Sequence, residues 1–197
     1  MGDASALIDQ APVQDRDLLQ RLSLYFDGFD SRLKQGQGWF IFNAVPGRST
    51  RISEFIRARL QEVQTSVSST MVPWRDFALS AYVQEIGLRE LAPGAEDGRD
   101  PLLKHEYDLA SRVTKDSWDR FLFSDVLVVV GLKPEHAYEA MFLDRAIDSR
   151  YQKRLATILL TPEMPDALAA EFASVDPSRT YWDRLFQRMY ETSLVAL

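Results

Sequence analysis

Residues 39–60 read Trp39-Phe40-Ile41-Phe42-Asn43-Ala44-Val45-Pro46-Gly47-Arg48-Ser49-Thr50-Arg51-Ile52-Ser53-Glu54-Phe55-Ile56-Arg57-Ala58-Arg59-Leu60. The run Trp39–Phe42 is wholly apolar with no polar alternation, as a strand covered on both faces requires. Asn43, Pro46 and Gly47 then interrupt it with turn residues. Ile52, Phe55, Ile56, Leu60 and Val63 recur at three- and four-residue spacing, the mark of one helical face. Upstream, Leu18, Leu22, Tyr25, Phe26, Phe29 and Leu33 form a second helical stripe with a break expected at Gly28, and Lys34–Gly38 reads as a turn.

The same strand-then-helix alternation continues downstream. Thr70–Val72 is a short strand, with Pro73 placed to open a helix whose expected apolar face is Leu79, Tyr82, Val83 and Ile86. Residues 89–101 carry Pro93, Gly94, Gly98 and Pro101 among charges and read as an exposed loop. A helix is expected from Leu102 to about Asp119. Asp125–Val130 is the clearest buried strand, filled with β-branched residues and ended by Gly131. Glu135–Tyr151 is helical, with Ala140, Leu143, Ile147 and Tyr151 on one face. Ala156–Thr161 is another buried strand, stopped by Pro162. Helices over Ala167–Phe172 and Tyr181–Tyr190 and a last strand over Ser193–Leu197 complete the pattern. Alternating strands and helices imply an α/β fold with a mostly parallel sheet.

Composition narrows the function classes. There is no cysteine, so a disulfide framework, a thiolate metal site and a cysteine nucleophile are excluded, and the two histidines, His105 and His136, are too few for a histidine-rich metal site. No apolar run reaches the roughly 18 residues of a membrane span. No basic-then-apolar leader is expected at the N-terminus, and the expected compartment is the cytoplasm. Net charge is −6, which disfavours tight nonspecific binding to nucleic acid. Residues 35–70 depart from this: Arg48, Arg51, Arg57 and Arg59 against Glu54 and Glu62 make that segment alone basic.

A buried strand, a loop bearing Gly and Pro, and a helix form the setting of a P-loop, where main-chain N–H groups and the helix N-terminus hold phosphate, a lysine reaches the terminal phosphates, and a hydroxyl holds magnesium. Aligned without gaps on Asn43–Thr50, only Thr50 matches that pattern. With one gap, Gly47-Arg48-Ser49 imitates Gly-Lys-Ser, but arginine does not replace that lysine. Should nucleotide bind, Gly47, Arg48, Ser49 and Thr50 are the residues expected to hold it. Thr50 is equally suited to cap the helix, and that role is favoured over metal binding.

Element order and local phrases together resemble the AAA+ ATPase domain of the DnaC/IstB group of bacterial helicase loaders and transposition helpers. Tyr25–Leu60 resembles that group's helix, turn, strand, P-loop and first helix in register. Asp125-Val126-Leu127-Val128-Val129 resembles its Walker B strand. Ile147-Asp148-Ser149-Arg150-Tyr151 through Thr157-Ile158-Leu159-Leu160-Thr161 resembles the stretch that runs into its sensor strand. Asp183-Arg184-Leu185 resembles a later segment whose arginine can reach a neighbouring subunit's nucleotide. The resemblance spans roughly residues 20–190. It implies a three-layer P-loop-type sandwich with a parallel sheet of about five strands and a lid domain reduced or absent. Residues 1–34 would form a helical segment packed on a degenerate AAA+-like domain of residues 35–197.

The departures set the functional expectation. Where the family's Walker B strand ends in carboxylates, this chain has Val130 and Gly131. Where its sensor strand ends in a polar residue, this chain has Pro162, which has no N–H to donate. The P-loop lysine is absent, and no convincing counterpart of the second-sensor arginine precedes Leu197. Phosphoryl transfer depends on positioning and charge neutralisation. The expectation is a pseudo-ATPase: no catalytic residue, no metal, no cofactor. It would bind a protein partner in DNA replication or transposition, an AAA+ initiator, loader or replicative helicase, through Arg51, Arg57, Arg59 and Arg184. A nucleotide sensor without hydrolysis and a nucleic-acid accessory protein using the Arg48–Arg59 face are the alternatives. Arg150 is expected in a structural ion pair, and Asp125 at a strand end or cap.

Overall fold

A computed structural model describes residues 4–9, 11–63, 66–91 and 101–197. In chain order the elements are α1 (Ala4–Asp9), α2 (Val13–Asp27), α3 (Phe29–Lys34), β1 (Gly38–Ile41), α4 (Pro46–Val63), β2 (Ser69–Pro73), α5 (Trp74–Leu91), α6 (Pro101–Phe123), β3 (Val126–Val130), α7 (Ala137–Gln152), β4 (Ala156–Leu160), α8 (Pro165–Val175), α9 (Thr180–Thr192) and β5 (Ser193–Ala196). The five strands form one sheet in the order β2-β3-β4-β1-β5, and every pairing is parallel.

Strands β1 to β4 feed two cores because side chains alternate across the pleat, while edge strand β5 feeds only the first. Trp39 and Ile41 of β1, Val126 and Val128 of β3, and Ala156, Ile158 and Leu160 of β4 face one side. There they meet Leu18, Leu19, Leu22, Tyr25 and Phe26 of α2, Phe29 of α3, and Ile52, Phe55, Ile56 and Leu60 of α4. Phe40, Leu127, Val129 and Leu159 face the other side and are covered by α5–α9. This is the three-layer α/β sandwich. The N-terminal helices share the first core with the sheet, so residues 4–34 are continuous with the domain.

Register is enforced at Gly38, where a Cβ would lie 1.8 Å from the Thr157 carbonyl oxygen, so only glycine lets β1 approach β4 there. At the end of β3, Gly131 turns the chain with φ +79° and open space around it. The chain breaks between α2 and α3 at Gly28, as the sequence indicates.

Two helical faces differ from expectation. On α5 the stripe Trp74, Phe77, Ala78 and Ala81 is buried, whereas Leu79 is 61% and Tyr82 41% exposed. The aromatic residues at the start of α5 rotate the helix so that Leu79 and Tyr82 point outward. On α7, Ala140, Leu143 and Ile147 are buried as expected, but Tyr151 is exposed and donates its hydroxyl to Glu191 at 2.6 Å. Of the loop expected over 89–101, residues 92–100 lie outside the described residues, while α5 continues to Leu91 and α6 starts at Pro101. Among the described residues, no helix is long and apolar enough to cross a membrane.

Candidate functional site

In an open parallel sheet, ligands bind beyond the carboxyl ends of the strands, where neighbouring strands lead to helices on opposite faces. Here that point lies between β1, which leads to α4 on one face, and β4, which leads to α8 on the other. Main-chain hydrogen bonds stitch this crevice. Thr161 N–H donates to Ile41 O at 2.9 Å, Ala44 N–H to Thr161 O at 2.8 Å, and Asn43 N–H to Glu163 O at 3.0 Å. Only residues 42–45 separate β1 from α4. Three of their N–H groups, with Phe42 N–H on Ala196 O at 2.8 Å the third, are therefore already used inside the chain, where a phosphate cradle would need them free.

The expected nucleotide residues take up other contacts. Gly47 is exposed and lies in the first turn of α4. Arg48 folds back: its Nη1 donates to Asn43 O at 3.0 Å and Phe42 O at 3.4 Å, and its Nη2 to Leu197 O at 3.1 Å. Ser49 is buried, and its N–H continues the helix to Val45 O. Thr50 does not cap the helix, contrary to expectation. Because α4 starts at Pro46, Thr50 sits a full turn inside, and its hydroxyl donates to Pro46 O at 2.9 Å.

The four arginines of the basic segment do not form one free face. Asp15 of α2, fully buried, accepts Nε of Arg48 at 3.1 Å and both Nε and Nη2 of Arg51 at 2.9 and 2.5 Å. Arg59 pairs with Asp27 and Glu62 and lies over the Phe26 ring. Arg57 is exposed, and its recorded contact is Nη2 to the Met71 sulfur at 3.5 Å. Asp15, Arg48 and Arg51 line a cleft of about 510 Å³ with Gln14, Asn43, Val45, Gly47 and Leu197.

Far along the fold, Arg184 reaches Asp144 of α7 and lies over the Tyr181 ring. Asp144 also accepts Nη1 of Arg188 at 3.0 Å. Burial pushes the Asp144 carboxyl up, and the two arginines pull it back. Arg184 remains 46% exposed at its side chain, so one edge of the guanidinium faces solvent.

The end of β3 carries Val130 and Gly131, and β4 runs into Thr161 and Pro162. Thr161 donates its hydroxyl to Leu132 O at 2.9 Å, tying the two strand ends together. Just beyond Pro162, Glu163 pairs with Lys133 at 3.7 Å, and Lys133 also meets Glu171 at 3.3 Å. Among the described residues, no cluster of His, Asp and Glu is placed to hold a metal ion.

Among the described residues, Arg150 makes no ion pair, contrary to expectation. It is fully buried, and its donors go to the carbonyls of Phe121, Ser124 and Ala156 and to the Thr157 hydroxyl. Asp125 instead accepts Ser68 N–H at 2.8 Å and its hydroxyl at 2.7 Å, holding the start of β2 to β3. Sequence reasoning missed Asp15. Its signal was slight: an aspartate three residues before Leu18, on a helix whose inner face is otherwise apolar.

Comparison with known proteins agrees with this architecture. No protein-family model and no curated protein sequence matches the chain. Solved structures do. The DnaC helicase loader aligns with TM-score 0.58 at 16% identity, over 94% of this chain and 90% of that one. DnaI aligns with TM-score 0.59 at 14% identity, over 100% of this chain and 94% of that one. AMPPCP-bound DnaA from Aquifex aeolicus aligns with TM-score 0.56 at 12% identity, over 94% of this chain but 47% of the other. With its order β2-β3-β4-β1-β5 and helices on both faces, the chain shares the α/β fold of the DnaC helicase loader, DnaI and DnaA.

Proposed function

We propose that this chain is a non-catalytic AAA+-like module that docks on a protein partner in DNA replication, an AAA+ initiator or loader or a replicative helicase, without cycling nucleotide. One observation carries the reading: the phosphate position at the start of α4 is already filled from within. Arg48 and Arg51 are both paired with buried Asp15, and the crevice between β1 and β4 is stitched by main-chain bonds. With Arg48 and Arg51 turned onto Asp15 and the N–H groups of Phe42, Asn43 and Ala44 already bonded within the chain, less is left at the loop to attract a polyphosphate. With no carboxylate at Val130 or Gly131 and with Pro162 after β4, nothing there would hold magnesium or orient a water. The fold likeness to the DnaC helicase loader and to DnaA supports the replication setting. The partner face would include Arg184, whose guanidinium is half open, and exposed Arg57. Arg51 and Arg59, engaged within the chain, would contribute less.

The test is calorimetric titration of the pure protein with ATP, ADP and a non-hydrolysable ATP analogue, each with magnesium. The expected result is no heat and no thermal stabilisation at millimolar nucleotide. Micromolar binding would overturn the non-catalytic docking model and make residues 43–50 a working phosphate loop. Co-elution with the helicase or initiator of the same cells, lost on charge reversal of Arg184, is the expected partner result.

A further inference from the structure

We propose that Asp15 is an intrachain stand-in for a bound oxyanion and that its carboxylate is what keeps phosphate groups out of the cleft at the start of α4. The inference rests on the reading above that the wild-type chain does not hold nucleotide, and it assigns the cause to one side chain.

A fully buried aspartate is unstable unless it is paired and hydrogen-bonded. Asp15 is entirely removed from solvent, yet all three of its side-chain contacts come from arginines of one other helix, Arg48 and Arg51. Those arginines lie in the first two turns of α4, whose N-terminus carries the positive end of the helix dipole. Two guanidinium groups converging from one side at 2.5–3.1 Å on a pair of oxygens is the geometry that holds a phosphate. Here the oxygens belong to the protein.

The surroundings remain suited to an anion. The N–H groups of Gly47 and Arg48, at the start of α4, have no acceptor among the described residues. Nη1 of Arg51 is also without an acceptor there, and it lies 3.7 Å from where a Cβ on Gly47 would be. The cleft beside them, about 510 Å³, is open to solvent through exposed Asn43, Val45 and Gly47. Arg48, Arg51 and Asp15 sum to one positive charge. Removing the charge on Asp15 would leave two positive charges facing that opening. α2 is fixed by its buried Leu18, Leu19, Leu22, Tyr25 and Phe26, so Asp15 acts as a permanent plug rather than as a moving lid.

The experiment compares full-length wild type with Asp15→Asn, nearly isosteric but neutral, and with the double variant Asp15→Asn/Arg51→Gln. Inorganic tripolyphosphate is the titrant, followed by calorimetry and thermal melting. Asp15→Asn is expected to bind at least tenfold more tightly than wild type, with the gain lost in the double variant. If Asp15→Asn does not fold alone, tripolyphosphate is expected to restore its melting transition by supplying the missing anion. A folded Asp15→Asn that binds no better than wild type overturns the proposal, as does an unfolded one that tripolyphosphate does not rescue. Failure of the functional reading looks different: there, wild type itself binds ATP with magnesium.

Discussion

The guanidinium of Arg150 on α7 donates its Nε proton to the hydroxyl of Thr157 on β4 at 2.9 Å, with both side chains inside the second core. From that position Arg150 closes the C-terminal end of α6, the link from it to β3 and the start of β4, because its other donors reach the carbonyls of Phe121, Ser124 and Ala156. Burial lowers its pKa to about 9, opposed by the nearby charge of Asp125. The group is therefore still a cation at neutral pH, and it is solvated by backbone dipoles in place of water.

Removing Arg150 takes a buried donor from the Phe121 and Ser124 carbonyls and from the Thr157 hydroxyl. Each such group costs about 1–3 kcal/mol. Arg150→Ala is expected to lower unfolding free energy by at least about 3 kcal/mol. Arg150→Lys, which cannot serve so many acceptors in one plane, is expected to lose about 2 kcal/mol. Urea denaturation followed by tryptophan fluorescence measures both. A loss below 1 kcal/mol for Arg150→Ala would show that the clamp is dispensable.

The two glycines of the sheet separate steric need from conformational need. Gly38→Ala would push a Cβ into the Thr157 carbonyl at 1.8 Å. It is expected to break the β1–β4 pairing and leave the protein insoluble or unfolded. Gly131→Ala meets no neighbour but must adopt φ +79°, a conformation costing an L-residue about 1–2 kcal/mol. It is expected to fold with a melting point a few degrees lower. Equal effects in a thermal melt would contradict this account.

Arg184 and Arg188 share Asp144 but differ in exposure, 46% against 19% at the side chain, and Arg188 also reaches Asp148. A half-exposed pair contributes about 0–1 kcal/mol. Arg184→Ala is expected to leave stability within about 1 kcal/mol of wild type while weakening partner capture. Arg188→Ala, which strips the more buried contact from Asp144, is expected to cost about 2 kcal/mol or more. Denaturation beside a binding assay separates the two roles. Reversal of that order would remove Arg184 from the partner surface.

Asp176 gives a pH dependence of known sign. Burial raises its pKa, but hydrogen bonds from the Ser178 hydroxyl and from the N–H groups of Tyr181 and Ser178 outweigh it and hold the carboxyl below its usual 3.8. A carboxyl depressed in the folded state contributes stability that is present above its unfolded pKa and lost as pH falls through its folded one. Wild type is therefore expected to lose stability below about pH 4 more steeply than Asp176→Asn. Denaturation midpoints at pH 5, 4 and 3 measure the two slopes, and parallel slopes would discount Asp176.

The sequence by itself determined the architecture. Short, wholly apolar runs rich in aromatic or β-branched residues, such as Trp39–Phe42 and Val126–Val130, read as strands covered on both faces, and the helical stripes between them place helices on each side. It also shows that no lysine lies within 43–50 and no carboxylate at 130 or 131. Tertiary structure alone decided what the remaining polar residues do. Asp15 and Arg51 are 36 positions apart and Asp144 and Arg184 are 40 apart, and no local periodicity joins such pairs. Likewise, Leu79 and Tyr82 look as apolar in sequence as Phe77 and Ala78 beside them, yet α5 turns the second pair inward and the first out. Local pattern reports which side chains must avoid water. Which charge meets which, and which apolar side chain is left outside, follows from how whole elements pack.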